Sequence, residues 1–360
     1  MTPLQTILIV AGGLLVLATF LPLIRRGEWW FRLWDFPRSQ IALLLALVLA
    51  AGLVALDPSR PWHLAVLIVF AAALGWQLRR IFPYTPLSPT QVKRIRSCDP
   101  GSRLRLLTAN VLMENRRAND FLGLIRRADP DLVLVLEGDD WWDAQLAALD
   151  ADYPFSLKHP TDDTYGMHFF SRLELDAPEI RFLVEERAPS VRTRVRLRSG
   201  QWIDFYGVHP TPPTPGQHAH ERDAELLLVG KEAKASGRPT VVAGDLNDVA
   251  WSHTTRLFQR ISGLLDPRIG RGLYGTFHAR YPGFRWPLDH IFHDQSFLLV
   301  ELRRLGYIGS DHFPVLIELC HHPPAAAVHD APASDSGDRQ EAAEKIEEGQ
   351  ETAADPPRRG

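Results

Sequence analysis

Hydrophobic and polar residues follow different patterns in the front, middle and end of the 360-residue chain. Leu4–Ile24 is an uncharged apolar run that is long enough to cross a bilayer, and Ile41–Leu56 and Trp62–Leu78 are two more, near the lower length limit. Each run alone also fits a buried helix of a soluble core. Their closeness and the bordering tryptophans, typical of a membrane interface, favour the membrane. These tryptophans are Trp29, Trp30, Trp34, Trp62 and Trp76. We predict a membrane domain with three transmembrane helices over residues 1–80.

In the middle of the chain, strand patterns alternate with helix patterns, which is typical of an α/β fold. Helical spacing is found at Arg116–Ala128 and Gly216–Ala235. The runs of strand type are Leu104–Val111, Leu132–Leu136, Gly166–Arg172, Val191–Arg198, Trp202–Val208, Val241–Ala243 and Val315–Leu319. We predict one α/β domain over residues 103–321.

Two segments lack such patterns. Residues 81–102 contain Pro83, Pro86, Pro89 and Pro100, and this composition predicts a linker. Residues 322–360 are rich in Ala, Pro, Glu and Asp without a large aliphatic cluster, and we predict a disordered tail there.

The charge distribution changes this picture in two ways. The net charge of −3 gives no general cationic signal for nucleic acid. Basic residues border the runs unevenly: Arg25, Arg26, Arg32 and Arg38 follow the first run, Arg79, Arg80, Lys93, Arg94 and Arg96 follow the third, and Arg60 alone follows the second. The positive-inside rule therefore predicts an outer N-terminus and a cytoplasmic α/β domain. Cys98 and Cys320 lie far apart in sequence and predict neither a zinc site nor a disulfide framework.

Candidate chemistry is clearest at Thr240–Asp248, where a short apolar strand ends in Gly-Asp-Leu-Asn-Asp. Asp245 and Asn247 would point the same way if the extended backbone continued. A carboxylate beside a carboxamide at a strand end suits the holding of a hard cation or an attacking water against a phosphate. A plain Asp/Asn turn is the alternative interpretation.

Other polar side chains stand at the ends of strand patterns. They are Asn110, Glu137, His209, Asp289 and the pair Asp311 and His312. A buried glutamate at such an end needs a partner or a metal, and a histidine beside a carboxylate is suited to proton transfer or to gripping a phosphoryl oxygen. A solvated strand end or a polar turn would explain any one of these residues alone. Of the arginines that alternate along Val191–Arg198, only Arg192 is near a loop end, and a solvated sheet face is the favoured interpretation of the others.

Taken in order, these residues with the runs Leu-Asp-His-Ile-Phe and Ser-Asp-His-Phe-Pro-Val resemble the signature of the endonuclease/exonuclease/phosphatase superfamily. That group includes DNase I, the exonuclease III-type abasic endonucleases, neutral sphingomyelinases and inositol polyphosphate 5-phosphatases. The resemblance covers about residues 103–319, and the apolar front part resembles a membrane-attached bacterial branch, which implies a multi-pass protein of the bacterial inner membrane. It implies a four-layer α/β sandwich, in which two mixed β-sheets are flanked by helices, preceded by the three transmembrane helices.

The resemblance also implies roles for the site residues. Glu137 would be the main Mg²⁺ ligand, with Asn110 beside it and Asp311 as an auxiliary ligand; Mn²⁺ is the alternative ion. Leu112 stands where the abasic-endonuclease branch has an acidic residue, which leaves one or two metal ions open. No Cys/His cluster has the spacing of a tetrahedral zinc site.

The remaining residues would perform the chemistry. By resemblance, Asp245 orients or deprotonates the attacking water and Asn247 fixes the water or a phosphate oxygen. His209 and His312 hydrogen-bond the phosphate, and Asp289 orients His312. Glu174 is a weak candidate for the acidic partner of His209.

We therefore predict a membrane-anchored, Mg²⁺-dependent phosphoesterase that hydrolyses a phosphodiester or a phosphomonoester by metal-assisted water attack. Nucleic acid, a phospholipid head group and an inositol phosphate remain open as substrates, and the oligomeric state is not predicted. A catalytically inactive phosphate-binding module held at the membrane is the alternative function.

Overall fold

The computed structural model describes residues 1–24, 27–213 and 218–354. Several sequence predictions fall partly outside these residues. They concern the basic residues Arg25 and Arg26, the first residues of the helix predicted at Gly216–Ala235, and residues 355–360 of the predicted tail.

The front part contains three helices that are long and apolar enough to span a membrane. They are α1 (Pro3–Phe20), α3 (Arg38–Ala55) and α4 (Pro61–Ile81), and the short helix α2 (Trp29–Arg32) lies between the first two. The long helices pack on one another through Ala18, Leu45 and Ala73, while most of their other large apolar side chains are exposed. Exposed leucines and isoleucines on this scale fit a lipid environment.

The rest of the chain alternates strands and helices. Its elements are β1 (Arg103–Asn110), α5 (Ala118–Ala128), β2 (Leu132–Leu136), α6 (Asp140–Leu146), β3 (Phe155–His159), β4 (Met167–Ser171), β5 (Leu175–Phe182), β6 (Pro189–Arg196), β7 (Trp202–Val208), α7 (His220–Ser236), β8 (Thr240–Asp245), α8 (His253–Ser262), β9 (Asp289–His293), β10 (Phe297–Arg304), β11 (Val315–His321) and α9 (Ser336–Ala354). The sequence patterns missed β3, β5, β10, α6 and α8. Strands β3 and β5 have no fully buried residue, so they lack the apolar runs on which the prediction relied.

The strands form two mixed sheets. The first has the strand order β10-β11-β1-β2-β4-β3, and the second has the order β5-β6-β7-β8-β9. Each sheet contains one parallel pair, β1 with β2 and β7 with β8, between antiparallel neighbours. Helices α5 and α6 cover the outer face of the first sheet, and α7 and α8 cover that of the second. The predicted four-layer α/β sandwich is confirmed.

The apolar core between the two sheets holds them face to face. Leu106, Leu134, Phe169 and Phe205 are fully buried within it, and the rings of Phe169 and Phe205 stack at 4.6 Å between centroids. Because the two parallel pairs end at the same side of the sandwich, the polar residues that follow their strands converge there. This convergence creates the candidate site.

The segment between α4 and β1 is docked on the sandwich of two sheets. Val92 is fully buried in the core between the sheets, and Tyr84 donates a hydrogen bond to the Ala250 carbonyl oxygen at 2.6 Å. Cys98 in this segment and Cys320 in β11 form a disulfide bond, 222 residues apart in sequence. The sequence predicted no disulfide framework and gave no sign of this single bond, because separation in sequence says nothing about spatial proximity.

The end of the chain also differs from the prediction. Helix α9 occupies much of the segment predicted to be disordered, and Ala342 and Ile346 pack on Leu227 and Leu257. Lys345 of α9 donates a hydrogen bond to the buried Asp223 carboxylate at 2.8 Å. An apolar face this small is a weak sequence signal, and the helix depends on a buried ion pair for its docking.

Asp223 is the centre of a buried charge cluster, to which Arg32, Arg222 and Lys345 contribute cations. Burial alone would raise the pKa of Asp223, but the three cations outweigh burial and hold the pKa well below its usual value. The carboxylate is thus ionised and links α2, α7 and α9.

Substitution Asp223→Asn tests this link. We expect the free energy of unfolding to fall by about 3–5 kcal/mol, because Arg32 and Lys345 would remain buried without their counter-charge. The measurement is chemical denaturation of the detergent-solubilised full chain, followed by tryptophan fluorescence. Glu347→Gln, at an exposed position of α9, is the matched control and should change stability by less than about 0.5 kcal/mol. An equally small effect of Asp223→Asn would contradict the role given to the cluster.

Candidate active site

Asp245 is the last residue of β8, and the chain turns sharply just beyond it. The Asp245 Oδ1 atom accepts a hydrogen bond from the Asn247 backbone N–H at 2.9 Å, and Asn247 has a φ of 49°. The Asn247 side chain donates to the Pro210 carbonyl oxygen at 3.0 Å. The expectation that both side chains leave one extended strand was therefore wrong, although the turn keeps both at the site.

Gly244 explains why β8 can lie so close to β7 just before the site. Its φ is 148°, and a Cβ atom there would lie 1.8 Å from the Val208 carbonyl oxygen. Val208 and Gly244 are partners in the parallel ladder, so His209, the next residue after Val208, lies next to Asp245. Only glycine permits this approach.

Asn110 joins the carboxylates of the two sheets. Its Nδ2 atom donates to Glu137 Oε1 at 2.6 Å and lies 3.3 Å from Asp245 Oδ2, while its Oδ1 atom accepts from the Leu112 backbone N–H at 3.0 Å. The predicted neighbours Asn110, Glu137 and Asp245 are thus brought together. The amide nitrogen of Asn110 faces both carboxylates, which sequence reasoning did not foresee.

Glu137 follows β2 in a left-handed conformation, with a φ of 63°. Burial is the main reason why the pKa of Glu137 is raised to about 7, and the carboxylates of Asp245 and Asp311 add to the effect. The Asn110 hydrogen bond and His312 oppose it. Several carboxylates in a buried place with few cations form a donor set of hard oxygens, which is what Mg²⁺ or Mn²⁺ prefers.

His312 lies between two aspartates. Its Nδ1 atom is 2.8 Å from Asp289 Oδ2, and its Nε2 atom is 3.4 Å from Asp245 Oδ2. Burial by itself lowers the pKa of His312, but Asp289 and Asp245 outweigh it and raise the pKa to about 10. The ring is therefore an imidazolium at neutral pH, and the predicted orientation of His312 by Asp289 has the required geometry.

His209 is buried and has a different charge state. Burial lowers its pKa, against the opposing effect of Asp245. Its Nδ1 atom has no hydrogen-bond partner within the described part of the chain, and the Tyr165 ring lies 5.7 Å away. A neutral histidine of this kind can donate one hydrogen bond to a phosphoryl oxygen. Glu174, the candidate for its acidic partner, instead pairs with Arg196 on the sheet surface.

Asp245, Asp289 and His312 also have ligand atoms within 4.8 Å of one another, as in a metal site. These atoms already contact one another, with His312 at 2.8 Å from Asp289 and at 3.4 Å from Asp245, so ion pairing accounts for their proximity. The oxygen donors around Glu137 fit a hard cation better. Asp311, the predicted auxiliary ligand, lies near enough to raise the pKa of Glu137.

Sequence reasoning missed residues that hold the site in place. Ser310 is fully buried and donates to the Asn110 carbonyl oxygen at 2.8 Å, while its Oγ atom accepts from the His312 backbone N–H at 3.0 Å. Arg222 donates to the Asn247 carbonyl oxygen at 2.9 Å. Ser310 stands within the Ser-Asp-His run and could have been found there, whereas Arg222 gave no signal because its partners are distant in sequence.

The arginine face of β6 lies outside this group of residues. Arg192 pairs with Glu179 at 3.1 Å, and Arg194 pairs with Asp176. These ion pairs fit the interpretation of a solvated sheet face. The pair with Glu179 does not direct Arg192 toward the site.

Comparisons with known proteins agree with this geometry. The sequence profile of the Endonuclease/Exonuclease/phosphatase family matches residues 107–312. None of the curated proteins matches the chain significantly in sequence.

Solved structures are similar in fold. The D. rerio TDP2 complexed with single-strand DNA product has a TM-score of 0.51 and 17% identity, over 61% of this chain and 99% of that chain. The human Nocturnin catalytic domain with bound sulfate anion has a TM-score of 0.52 and 16% identity, over 64% and 97%. An endonuclease/exonuclease/phosphatase from Beutenbergia cavernae has a TM-score of 0.51 and 18% identity, over 61% and 72%.

Identities this low show a common fold and nothing about the substrate. The profile match, however, extends over more than half of the chain, from β1 to His312. It thereby includes every residue that the structure gathers around Asp245. The chain belongs to the Endonuclease/Exonuclease/phosphatase family.

Proposed function

We propose that this protein is a membrane-anchored, divalent-metal-dependent phosphoesterase that hydrolyses a phosphoric ester by attack of water. The observation that carries the proposal is the buried series Asp289, His312 and Asp245 beside Glu137 and Asn110. An inactive binding module would have no use for a carboxylate held next to an imidazolium in this way.

The metal would be held by Glu137, with Asp311 as a further oxygen donor, and Mg²⁺ is the ion that best fits this set. The role of metal ligand expected for Asn110 does not fit this geometry, because its amide nitrogen faces Glu137 and its oxygen accepts from Leu112; Asn110 would instead hold the Glu137 carboxylate in place. When bound, such an ion polarises a phosphoryl oxygen and offsets the charge that develops on the phosphate. Leu112 offers no oxygen donor from its side chain, and the number of ions stays open.

The protein's own residues divide the reaction between them. Asp245 orients the attacking water and accepts its proton as the water oxygen bonds to phosphorus. The phosphorus–oxygen bond to the leaving group breaks, and the leaving alkoxide takes a proton from solvent. The His312 imidazolium and the neutral His209 donate hydrogen bonds to the non-bridging oxygens, where negative charge grows in the transition state.

The roles of the two remaining residues follow from their contacts. Asp289 fixes the orientation of the His312 ring through Nδ1, so that Nε2 faces the site. Asn247 is held by Pro210 and by Asp245, which keeps its amide at the mouth of the site, next to the position of the water.

Membrane attachment is proposed from the front part. Helices α1, α3 and α4 are long and apolar enough to cross a bilayer. The Arg32–Asp223 ion pair and the hydrogen bond from the Trp251 indole to the Asp35 carbonyl oxygen, at 2.7 Å, hold the α1–α3 connection against the catalytic domain. The site is therefore kept close to the membrane.

Asp245→Asn tests the assignment of the base. We expect a loss of about 10²–10⁴-fold in kcat, since the amide cannot accept the proton of the water. The measurement is hydrolysis of bis(p-nitrophenyl) phosphate by the detergent-solubilised full chain with Mg²⁺. Asp150→Asn, at an exposed carboxylate that pairs with Lys158 on the surface, is the matched control. Near-normal turnover by a folded Asp245→Asn variant would remove Asp245 from the mechanism.

Glu137→Gln tests the metal ligand separately from the base. We expect the apparent affinity for Mg²⁺ to fall at least about tenfold, because a charged ligand is replaced by a neutral one. Direct binding of Mn²⁺, measured by calorimetry on the full chain, should weaken in parallel, while Asp150→Asn should bind Mn²⁺ like the wild type. If Glu137→Gln bound Mn²⁺ normally, the ion would have to be held elsewhere.

A further inference from the structure

An apolar cavity of about 490 Å³ opens directly beside the site. All but two of the residues that line it are apolar, and those two are Asn247 and His312. A cavity of this size can hold most of a small ligand's surface. Its polar end is formed by His312, which is proposed to hold the phosphate, and by Asn247, which is proposed to lie next to the attacking water.

The cavity is built jointly by the membrane part and the catalytic domain. The membrane part contributes Trp29, Leu33, Trp34, Phe36 and Pro37, which lie between α1 and α3. The catalytic domain contributes Pro212, Pro213, Phe277, Phe284, Trp286 and Leu288. The rings of Phe36 and Trp286 meet edge to face across the junction, 5.7 Å between centroids.

The rim of the cavity continues onto the surface from which the membrane helices depart. Leu33 is 51% exposed and Phe284 is 58% exposed. Gln40, in the first turn of α3, donates a hydrogen bond to the Gly283 carbonyl oxygen at 2.8 Å, which ties the Phe284 loop to that helix. An apolar rim at the start of a membrane-spanning helix lies at the level of the lipid, where aromatic residues are favoured.

We propose that the substrate is a lipid phosphate ester, whose hydrocarbon chain enters this cavity from the bilayer while its phosphate binds at His312 and Asn247. The proposal rests on the proposed hydrolysis and specifies its substrate class. An apolar cavity next to the phosphate position binds a ligand more tightly when that ligand carries methylene groups close to its ester. The continuity of the rim with α3 supplies a route by which such a molecule reaches the site without crossing water.

A chain-length series tests this proposal. The substrates are p-nitrophenyl phosphate diesters whose second ester group is methyl or octyl, so that the leaving group stays the same. The full chain in detergent with Mg²⁺ should hydrolyse the octyl ester with kcat/KM at least about tenfold higher than the methyl ester, since each buried methylene group adds to binding. Phe284→Ser and Leu33→Ser, both at exposed positions, should reduce this octyl-to-methyl ratio at least about threefold.

The controls separate the cavity from general effects of the micelle. Val328→Ser changes a residue that is 57% exposed and outside the cavity lining, and it should keep the wild-type ratio. Equal kcat/KM for both esters in the wild type would overturn the lipid proposal and leave the proposed hydrolysis standing. No hydrolysis of either ester by folded, Mn²⁺-binding protein would overturn the proposed function as well. Preference for a single-stranded oligonucleotide, lost in Phe284→Ser, would overturn the lipid proposal in favour of a stacked base.

A separate observation concerns the side of the membrane. The Cys98–Cys320 disulfide is packed against Leu298 and Ala325 within the catalytic domain. Disulfides persist in oxidising compartments, whereas the cytosol keeps thiols reduced. We infer that the catalytic domain lies on the non-cytoplasmic side of the membrane, opposite to the side expected from the basic residues.

The structure also gives some of those basic residues another reason to be present. Arg32 pairs with Asp223 at 2.9 Å, and Arg38 pairs with Asp35 and donates to Gln77 at 3.0 Å. These arginines are buried in folded contacts, so their position between the first two helices is required on either side of the membrane. Their value as evidence for a cytoplasmic loop is reduced accordingly.

Two measurements on the full chain in a bacterial host test the side. Alkaline phosphatase fused after residue 360 should be active, and a green fluorescent protein at the same place should be dark. Because both cysteines are buried, the cells are denatured in the presence of N-ethylmaleimide, which should leave both cysteines unmodified unless a reductant has been added first, as seen by mass spectrometry; the double variant Cys98→Ser, Cys320→Ser confirms the assignment, because the chain has two cysteines. A fluorescent fusion, or free thiols before reduction, would overturn the inference.

Discussion

The buried Asp223 carboxylate is the interaction on which the arrangement of the parts depends. An ionised group without access to water must be surrounded by cations and donors, and here these come from separate regions: Arg32 from the membrane part, Arg222 from α7 itself and Lys345 from α9. The Asp223 carboxylate is therefore stable in its ionised form only when all three regions are in place. Such an ion pair adds less to stability than apolar packing of equal volume would, but it specifies one relative placement of the membrane part and the catalytic domain.

That placement reaches the active site through Arg222. The same guanidinium that pairs with Asp223 also donates to the Asn247 carbonyl oxygen at 2.9 Å and lies 3.6 Å from Asp248. Arg222, whose charge is balanced by Asp223, thus holds the turn that positions Asp245 and Asn247. The connection between α1 and α3, held by Arg32, forms one wall of the apolar cavity on the other side of the same turn. The geometry of the site and the shape of the cavity therefore both depend on the docking of the α1–α3 connection against the catalytic domain.

Sequence reasoning predicted which residues gather around Asp245, because these residues obey a local rule. Asn110, Glu137, His209 and Asp245 each end a strand, and parallel neighbours in a sheet bring such ends together without any knowledge of side-chain packing. The same reasoning failed wherever proximity arises from distant contacts. The Cys98–Cys320 bond, the Lys345–Asp223 pair and the cavity walls each join segments that are at least 122 residues apart in sequence. It failed also where the local geometry departs from regular structure. The positive φ of Asn247 gives its side chain a different direction from the one that an extended strand would give.

The charges of the site explain why a cation would be needed for binding as well as for chemistry. The site contains four carboxylates, those of Asp245, Asp289, Glu137 and Asp311. Among the described residues around them, His312 supplies a positive charge as an imidazolium, whereas burial keeps His209 neutral. Arg222, the nearby guanidinium, is already paired with Asp223. Such an excess of negative charge repels a phosphate, and within the protein it adds to burial, the main cause, in raising the pKa of Glu137. A divalent cation held by Glu137 would relieve both effects together: it would let Glu137 ionise at neutral pH, and it would turn a repulsive site into one that attracts the phosphoryl oxygens.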